Sequence, residues 1–142
     1  MIDREVIEKH LEDLAVKVSH LKDLRGVSLE ELQTDWQKLY AAERALQTAI
    51  QDVIDIGAHI LAALGDNRWE AYRDIPRRLA HHGVIAQEEV ENLEAMIGMR
   101  NVLVHQYVEV NPQKVYEIIH TRLADFERFA QAVAKFLQQV ED

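Results

Sequence analysis

The sequence contains no cysteine, and this absence excludes disulfide bonds, thiolate metal ligands and thiol nucleophiles. Its 142 residues include only two prolines and five glycines, a content typical of helices joined by few loops. No apolar run approaches the roughly 20 residues of a membrane-spanning helix, and the charged N-terminus leads into no continuous apolar segment. These absences predict one domain, residues 1–142, that is cytoplasmic and does not bind a membrane.

Basic side chains are also scarce. The sequence has 16 Lys and Arg against 25 Asp and Glu, which gives a formal net charge of −9 at pH 7. Because binding to nucleic acid is driven mainly by neutralisation of phosphates, this charge opposes a general RNA-coating role, and we expect no binding to DNA. An RNA substrate would have to enter a small basic cleft on an otherwise acidic protein.

Apolar residues recur three and four positions apart through most of the chain, the period of helices packed against one another. The first helix contains Ile7 and ends at Gly26. Ser28 and Glu31 form a capping-box pattern, in which each side chain satisfies a backbone N–H at a helix start. This pattern predicts a long second helix that ends at Gly65.

The second half of the chain predicts three more helices. Residues 66–72 form a connection to a short helix that ends at Gly83. A fourth helix then runs towards His105, and Asn111 with the following proline caps a final, strongly amphipathic helix. The predicted fold is all-α, an up-and-down helical bundle of four to five main helices.

The C-terminal half of the fourth helix is apolar on nearly every side. One face carries Val90, Leu93, Ile97 and Val104, and the other carries Met99, Val102 and Leu103. Such a helix is usually covered on both sides, and in a small bundle a second subunit can supply the second cover. Its polar side chains are Arg100, Asn101 and His105, and burying them is costly unless they are paired.

Arg100 and His105 lie about 140° apart around an ideal helix, so one helix does not direct both at the same atom. Either Arg100 curls its long side chain round, or a symmetry-related copy brings a second segment opposite the first. The second solution is simpler, and it predicts a composite site in a homodimer.

The spacing of Arg100, His105 and Tyr107, with Asn101 directly after the arginine, resembles the R-x4-H-x-Y motif of HepT-like toxins in the HEPN superfamily. The motif ends the penultimate helix, and the resemblance covers most of the chain. Further matching positions are residues 43–47, residues 54–56, His59, Tyr72, residues 82–85 and residues 125–126.

This resemblance implies a single HEPN domain that forms a homodimer and acts as a metal-independent endoribonuclease toxin without a cofactor. The implied partner is a minimal nucleotidyltransferase antitoxin, and the implied substrate is RNA. Cleavage of RNA without a metal needs a base for the 2′-hydroxyl and positive charge for the developing phosphorane. His105 would act as the general base or acid, Arg100 would hold the scissile phosphate, and Asn101 would orient His105 or the phosphate. The expected products carry a 2′,3′-cyclic phosphate and a 5′-hydroxyl.

The motif tyrosine is the residue that the antitoxin adenylylates in this family, so the resemblance implies that Tyr107 accepts AMP. A bulky anionic group at the mouth of the site would block the substrate both sterically and electrostatically. Because Val108 and Val110 are β-branched and precede Asn111, we expect the helix to fray near Gln106. The Tyr107 hydroxyl would then be accessible to a second enzyme.

A structural interpretation of the motif remains open at this stage. Its polar residues could form a buried network with Asp52, Asp55 or His59, which share one face of the second helix. We predict that these three are mainly structural and support the site. The alternative function is a catalytically silent helical partner, or a nucleotide-binding subunit, of the minimal nucleotidyltransferase.

Other polar and aromatic residues favour structural roles. Trp69 and Tyr72 could stack on a base, but aromatic residues in a connection more often pin it to the core. Glu117 and His120 match one E-x-x-H element of di-iron bundles, which require two. The histidines at 81–82 precede a helix-ending glycine, where cations meet the helix dipole favourably. We therefore expect no metal ion.

Overall fold

The structure, a computed structural model, describes residues 2–105 and 110–140. The described part is helical, which confirms the predicted all-α bundle. The α-helices are α1 (Arg4–Asp23), α2 (Leu29–Thr34), α3 (Trp36–Ala63), α4 (Ile75–His81), α5 (Val90–Val104), α6 (Pro112–Thr121) and α7 (Leu123–Gln139). Short 3₁₀ turns occupy Leu24–Gly26, Tyr72–Asp74 and Gln87–Glu89.

Short-range chemistry sets most helix ends. The Ser28 hydroxyl accepts a hydrogen bond from the Glu31 backbone N–H at 3.1 Å, and the Glu31 carboxylate accepts one from the Ser28 N–H, so the predicted capping box is confirmed. The Asn111 side chain caps α6 in the predicted place. Gly65 and Gly83 end α3 and α4 at φ of 72° and 74°, a left-handed conformation that favours glycine.

Two helices predicted as continuous are divided, and the prediction was wrong at both breaks. Asp35 separates α2 from α3 because its backbone is extended (φ −109°, ψ 96°) and its carboxylate caps the N-terminus of α3. Arg122 separates α6 from α7 at φ −122° and ψ 0°. The apolar stripe continues through this second break, so the sequence pattern does not show it.

Helix α3 forms the centre of the bundle. It packs against α1, α2, α4, α5, α6 and α7. The core that joins these helices includes fully buried Leu14, Leu46, Ile56 and Phe126. No helix within residues 2–105 and 110–140 is both long and apolar enough to cross a membrane.

Helix α5 packs into this core from its start to its middle and leaves it towards its C-terminal end. Val90, Leu93 and Ile97 are buried as predicted, whereas Val104 was placed on the same face and is 38% exposed. Val102 is 37% exposed. The helix therefore leaves the core in its last turn, and within one chain its apolar C-terminal end faces solvent.

Candidate active site

Arg100 is held against α3 and the 3₁₀ turn at Tyr72–Asp74. Its Nε donates a hydrogen bond to Oε1 of Gln51 at 3.0 Å. Its guanidinium carbon lies 5.2 Å from the centre of the Tyr72 ring, within the range of a cation–π interaction. Arg100 is partly buried, so its charged group lies at the protein surface with one side supported.

The amide of Gln51 is itself fixed from behind. Its Nε2 donates to Oδ1 of Asp55 at 2.9 Å, one helical turn further along α3. Because the carboxylate only accepts, this bond directs the amide N–H groups towards Asp55 and the amide oxygen towards Arg100. The result is a chain of contacts from Asp55 through Gln51 to Arg100 and the Tyr72 ring.

His105 follows the last helical residue of α5 and has an extended backbone (φ −79°, ψ 105°). Its side chain is exposed and lines a groove of about 940 Å³ between the start of α3, the end of α5 and the start of α6. Trp36 and Tyr40 also line this groove, with exposures of 63% and 60% and ring centres 5.6 Å apart. Burial raises the pKa of Glu43 in the same groove, which favours its neutral form.

Within the single chain, Asn101 and His105 are exposed, because α5 has left the core where they occur. Within the single chain Arg100 contacts α3 and the 3₁₀ turn, while His105 faces the groove, and Arg100 is not among the residues that line it. The predicted AMP acceptor, Tyr107, and the predicted fraying near Gln106 lie outside the described residues.

The three supporting residues predicted on α3 separate into two groups. Asp55 is connected to Arg100 through hydrogen bonds that both residues form with Gln51. Asp52 instead turns towards α1, where its Oδ1 lies 2.9 Å from Nδ1 of His10. His59 is exposed, and its ring centre lies 6.2 Å from that of His10. Asp52 and His59 thus border the α1–α3 contact rather than the motif.

Asp52 is a buried acid, only 6% exposed. Burial is the main cause that raises its pKa to about 7, and the neighbouring carboxyl of Asp13 adds to the rise. The hydrogen bond with Asp52 lowers the pKa of Asp13, and Lys17, 2.9 Å from Asp13, lowers it further. Of the two carboxyls, Asp52 therefore holds a proton more readily than Asp13.

The remaining polar and aromatic predictions have structural outcomes. Trp69 is partly buried against the core, as predicted for a residue that pins the connection. His82 lies 2.8 Å from a carboxylate oxygen of buried Asp66. His120 lies within hydrogen-bonding distance of the backbone carbonyls of Tyr116 and Arg25, at 2.9 and 3.0 Å. No three His, Asp or Glu side chains in the described ranges form a group that could hold a metal ion.

A second guanidinium lies against α5. The side chain of exposed Arg73 crosses Gly98, because a Cβ at that glycine would lie 3.6 Å from the Arg73 guanidinium carbon. Arg73 follows Tyr72 directly, and Gly98 precedes Arg100 by two residues. The 3₁₀ turn therefore brings a second guanidinium to the helix that carries Arg100.

Sequence reasoning missed Gln51 and did not connect Tyr72 with Arg100. Gln51 is a polar residue in the long, mostly apolar helix α3, and this position is the only local signal. Which residue contacts Gln51 depends on the angle and position at which α5 crosses α3, and the spacing of apolar residues in either helix does not fix these.

The sequence model of the family described as "Ribonuclease HepT-like" matches residues 7–133. The chain belongs to the HepT-like family. Among HepT relatives, it is similar to the tRNA nuclease HepT of Aphanizomenon flos-aquae, with 26% identity over 141 residues that cover 99% of this chain and 96% of the relative. It is also similar to the mRNA nuclease HepT of Shewanella oneidensis, with 34% identity over 88 residues, 62% of this chain and 66% of the relative.

Solved structures share the fold of this HepT-like chain. The tri-AMPylated HEPN toxin of Shewanella oneidensis, in complex with an MNT antitoxin, aligns with a TM-score of 0.84 and 26% identity, over 95% of this chain and 99% of the toxin. The cytosolic protein YutE of Bacillus subtilis aligns with a TM-score of 0.81 and 24% identity, over 97% of this chain and 92% of YutE, and shows the fold alone. The bundle is therefore a HEPN fold.

Proposed function

We propose that this HepT-like protein is a metal-independent endoribonuclease toxin whose reaction is carried out by Arg100 and His105. One observation carries the proposal most directly: Arg100, held on Gln51 and Tyr72, and exposed His105 stand at the end of one helix. The two relatives named as nucleases of tRNA and mRNA support RNA as the class of substrate.

The chemistry needs a proton acceptor and fixed positive charge. His105 removes the proton from the 2′-hydroxyl, and Arg100 stabilises the charge that develops on the phosphorane. Asn101, exposed beside Arg100, orients the phosphate. The 2′-oxygen bonds to phosphorus as the bond from phosphorus to the 5′-oxygen breaks, and the leaving 5′-oxygen takes a proton from protonated His105 or from water. The products carry a 2′,3′-cyclic phosphate and a 5′-hydroxyl, and the reaction uses no metal ion or cofactor.

The RNA substrate binds along the basic and aromatic surfaces near Arg100 and His105. Arg73 and Arg100 supply local positive charge on a chain of net charge −9. The exposed rings of Trp36 and Tyr40 provide faces on which unpaired bases can stack beside His105. This arrangement favours a single-stranded or loop segment of RNA over a regular duplex.

A homodimer completes the site. Within one chain Arg100 and His105 face different neighbours, and the end of α5 leaves Val102 and Val104 exposed. A second copy that packs on this apolar end covers it and brings the Arg100 of one protomer towards the His105 of the other.

A minimal nucleotidyltransferase antitoxin silences the toxin by adenylylating Tyr107. The support is the HEPN toxin of Shewanella oneidensis, which is tri-AMPylated and in complex with an MNT antitoxin. Only Gln106 separates Tyr107 from His105 in the sequence, so AMP on Tyr107 adds negative charge close to His105.

The test is cleavage of labelled single-stranded RNA by purified protein in EDTA, with analysis of the new ends. We expect cyclic phosphate and 5′-hydroxyl ends, and no cut at a nucleotide that carries a 2′-deoxy substitution. A cut at the 2′-deoxy nucleotide would refute the mechanism.

The net charge of −9 favours a second candidate function, a catalytically silent partner of the nucleotidyltransferase. Inertness towards all RNA with tight binding of that partner would support this candidate.

A further inference from the structure

The contacts of Arg100 differ from those of a structural arginine. Within residues 2–105 and 110–140, Nε is the only Arg100 nitrogen with a hydrogen bond, and no carboxylate forms an ion pair with the side chain. By contrast, Arg78 contacts the carboxylate of Asp66 at 2.9 Å, and Arg128 contacts Glu89 at 2.9 Å. The positive charge of Arg100 is therefore not neutralised by the residues that hold it.

The groups that hold Arg100 are suited to orientation without neutralisation. The amide of Gln51 is uncharged and accepts from Nε, on the side of the guanidinium nearest the chain. The Tyr72 ring supports the guanidinium plane at 5.2 Å. Both terminal nitrogens, with four N–H donors between them, remain available for two phosphate oxygens.

We propose that Gln51 and Tyr72 are positioning residues that orient Arg100 for the scissile phosphate of RNA. This inference rests on the proposed ribonuclease function. Asp55 acts behind Gln51, because its carboxylate accepts from the amide at 2.9 Å and so fixes which end of the amide faces Arg100.

The segment that carries Tyr72 is also held in position by its own contacts. The carboxylate of Asp74 accepts from the backbone N–H groups of Glu70 and Ala71, at 3.1 and 3.0 Å, and so fixes the start of the 3₁₀ turn. The Trp69 ring, partly buried against the core, lies 6.2 Å from the Tyr72 ring. The turn packs against α5, so Tyr72 reaches Arg100 from a supported segment.

The first test compares cleavage by variants that remove or keep each contact. Gln51→Leu and Tyr72→Leu are expected to lower kcat/KM by about 10- to 100-fold, since small misplacement of a binding group is costly. Tyr72→Phe retains the ring and is expected to stay within about twofold of the wild type. Gln131→Leu, the same change at an exposed site on α7, is the control. Wild-type rates in both leucine variants, or equal losses in Tyr72→Phe and Tyr72→Leu, would overturn the proposal.

Coupling to Arg100 separates positioning from general structure. Arg100→Lys keeps a charge but lacks the planar group that Gln51 and Tyr72 contact. In this background Gln51→Leu is expected to change RNA affinity less than twofold, measured with RNA that carries a 2′-deoxy group at the cleavage site. In the protein that keeps Arg100, Gln51→Leu should weaken RNA binding by about 10-fold, as expected for coupled residues. Equal effects in both backgrounds would contradict a role through Arg100.

A third measurement does not depend on activity. The Nε–H signal of Arg100 in nitrogen-15 NMR spectra should exchange slowly with water in the wild type and rapidly in Gln51→Leu, while Gln131→Leu leaves it unchanged. If the wild type cleaves no RNA, the proposed function fails, yet this signal still decides whether Gln51 holds Arg100. Unchanged exchange in Gln51→Leu would overturn the positioning role.

Discussion

Replacing Asp52 by asparagine tests the reading of this buried acid as a protonated carboxyl. Oδ1 of Asp52 lies 2.9 Å from Nδ1 of His10, while Oδ2 is buried and accepts no hydrogen bond from the described residues. Asp52 also forms a hydrogen bond with the carboxyl of Asp13, and this bond requires a proton on one of the two carboxyls. The amide of asparagine reproduces the pattern, with an oxygen for His10 and an N–H for Asp13.

The magnitude follows from the pKa of Asp52, which rises from 3.8 to about 7. Such a rise is linked to at most about 4 kcal/mol of unfolding free energy, and screening by solvent and coupling to Asp13 and His10 reduce this to about 1 to 2 kcal/mol. Since the folded-state pKa is raised, this stability is fully present below pH 4 and is lost as the pH rises through about 7. Above that pH the wild type must hold an ionised buried carboxylate, whereas Asp52→Asn does not.

The assay is urea unfolding at pH 5 and pH 8, followed by circular dichroism at one protein concentration. Asp52→Asn is expected to be about 1 to 2 kcal/mol more stable than the wild type at pH 8, and its stability should depend less on pH.

Asp66→Asn is the matched control, because its expected change in stability at pH 8 has the opposite sign. Asp66 accepts from the Arg68 backbone N–H and lies 2.8 Å from His82, contacts that hold its pKa well below the usual range. Its stability contribution is present above the unfolded pKa and is lost as the pH falls, so Asp66→Asn should lower stability at pH 8. A loss of stability in Asp52→Asn at pH 8 would refute the protonated carboxyl.

Three further predictions concern packing and charge. Gly57→Ala places a Cβ 2.5 Å from Cγ2 of Ile75, so it should destabilise the fold by about 1 to 3 kcal/mol in the same unfolding assay. Gly98→Ala meets only the end of the Arg73 side chain at 3.6 Å and removes a helical glycine, so it should stabilise by about 0.5 to 1 kcal/mol; destabilisation equal to that of Gly57→Ala would contradict the packing described. Arg73→Ala should weaken RNA binding and lower the slope of log affinity against log salt by about 1, and an unchanged slope would place Arg73 away from the phosphates.

Local signals in the sequence predicted the helices well. Ser28 with Glu31, Asn111, Gly65 and Gly83 each act through contacts within a few residues, and each sets a helix end in the structure. The break at Asp35 was also local, but the continuing apolar stripe concealed it. A cap in the middle of an amphipathic run can end one helix and start another at once.

The site was only half predictable because its support comes from long-range packing. Arg100 and His105 were identified from their spacing, but their exposure depends on where α5 leaves the core, which its apolar composition concealed. Gln51 lies 49 residues from Arg100 in sequence, so no local pattern pairs them. Asp52 and Asp55 share a helix face, yet Asp52 contacts His10 on α1, whereas Asp55 contacts Gln51, which binds Arg100 of α5.

The central claim is that Arg100 and His105 cleave RNA, and the most direct measurement is the cleavage rate of purified Arg100→Ala and His105→Ala in EDTA. The control is His20→Ala, which removes an exposed histidine from α1. We expect both site variants to remain folded and to lose at least about 100-fold in rate, while His20→Ala cleaves as the wild type does. Cleavage at the wild-type rate by folded Arg100→Ala and His105→Ala would contradict the account.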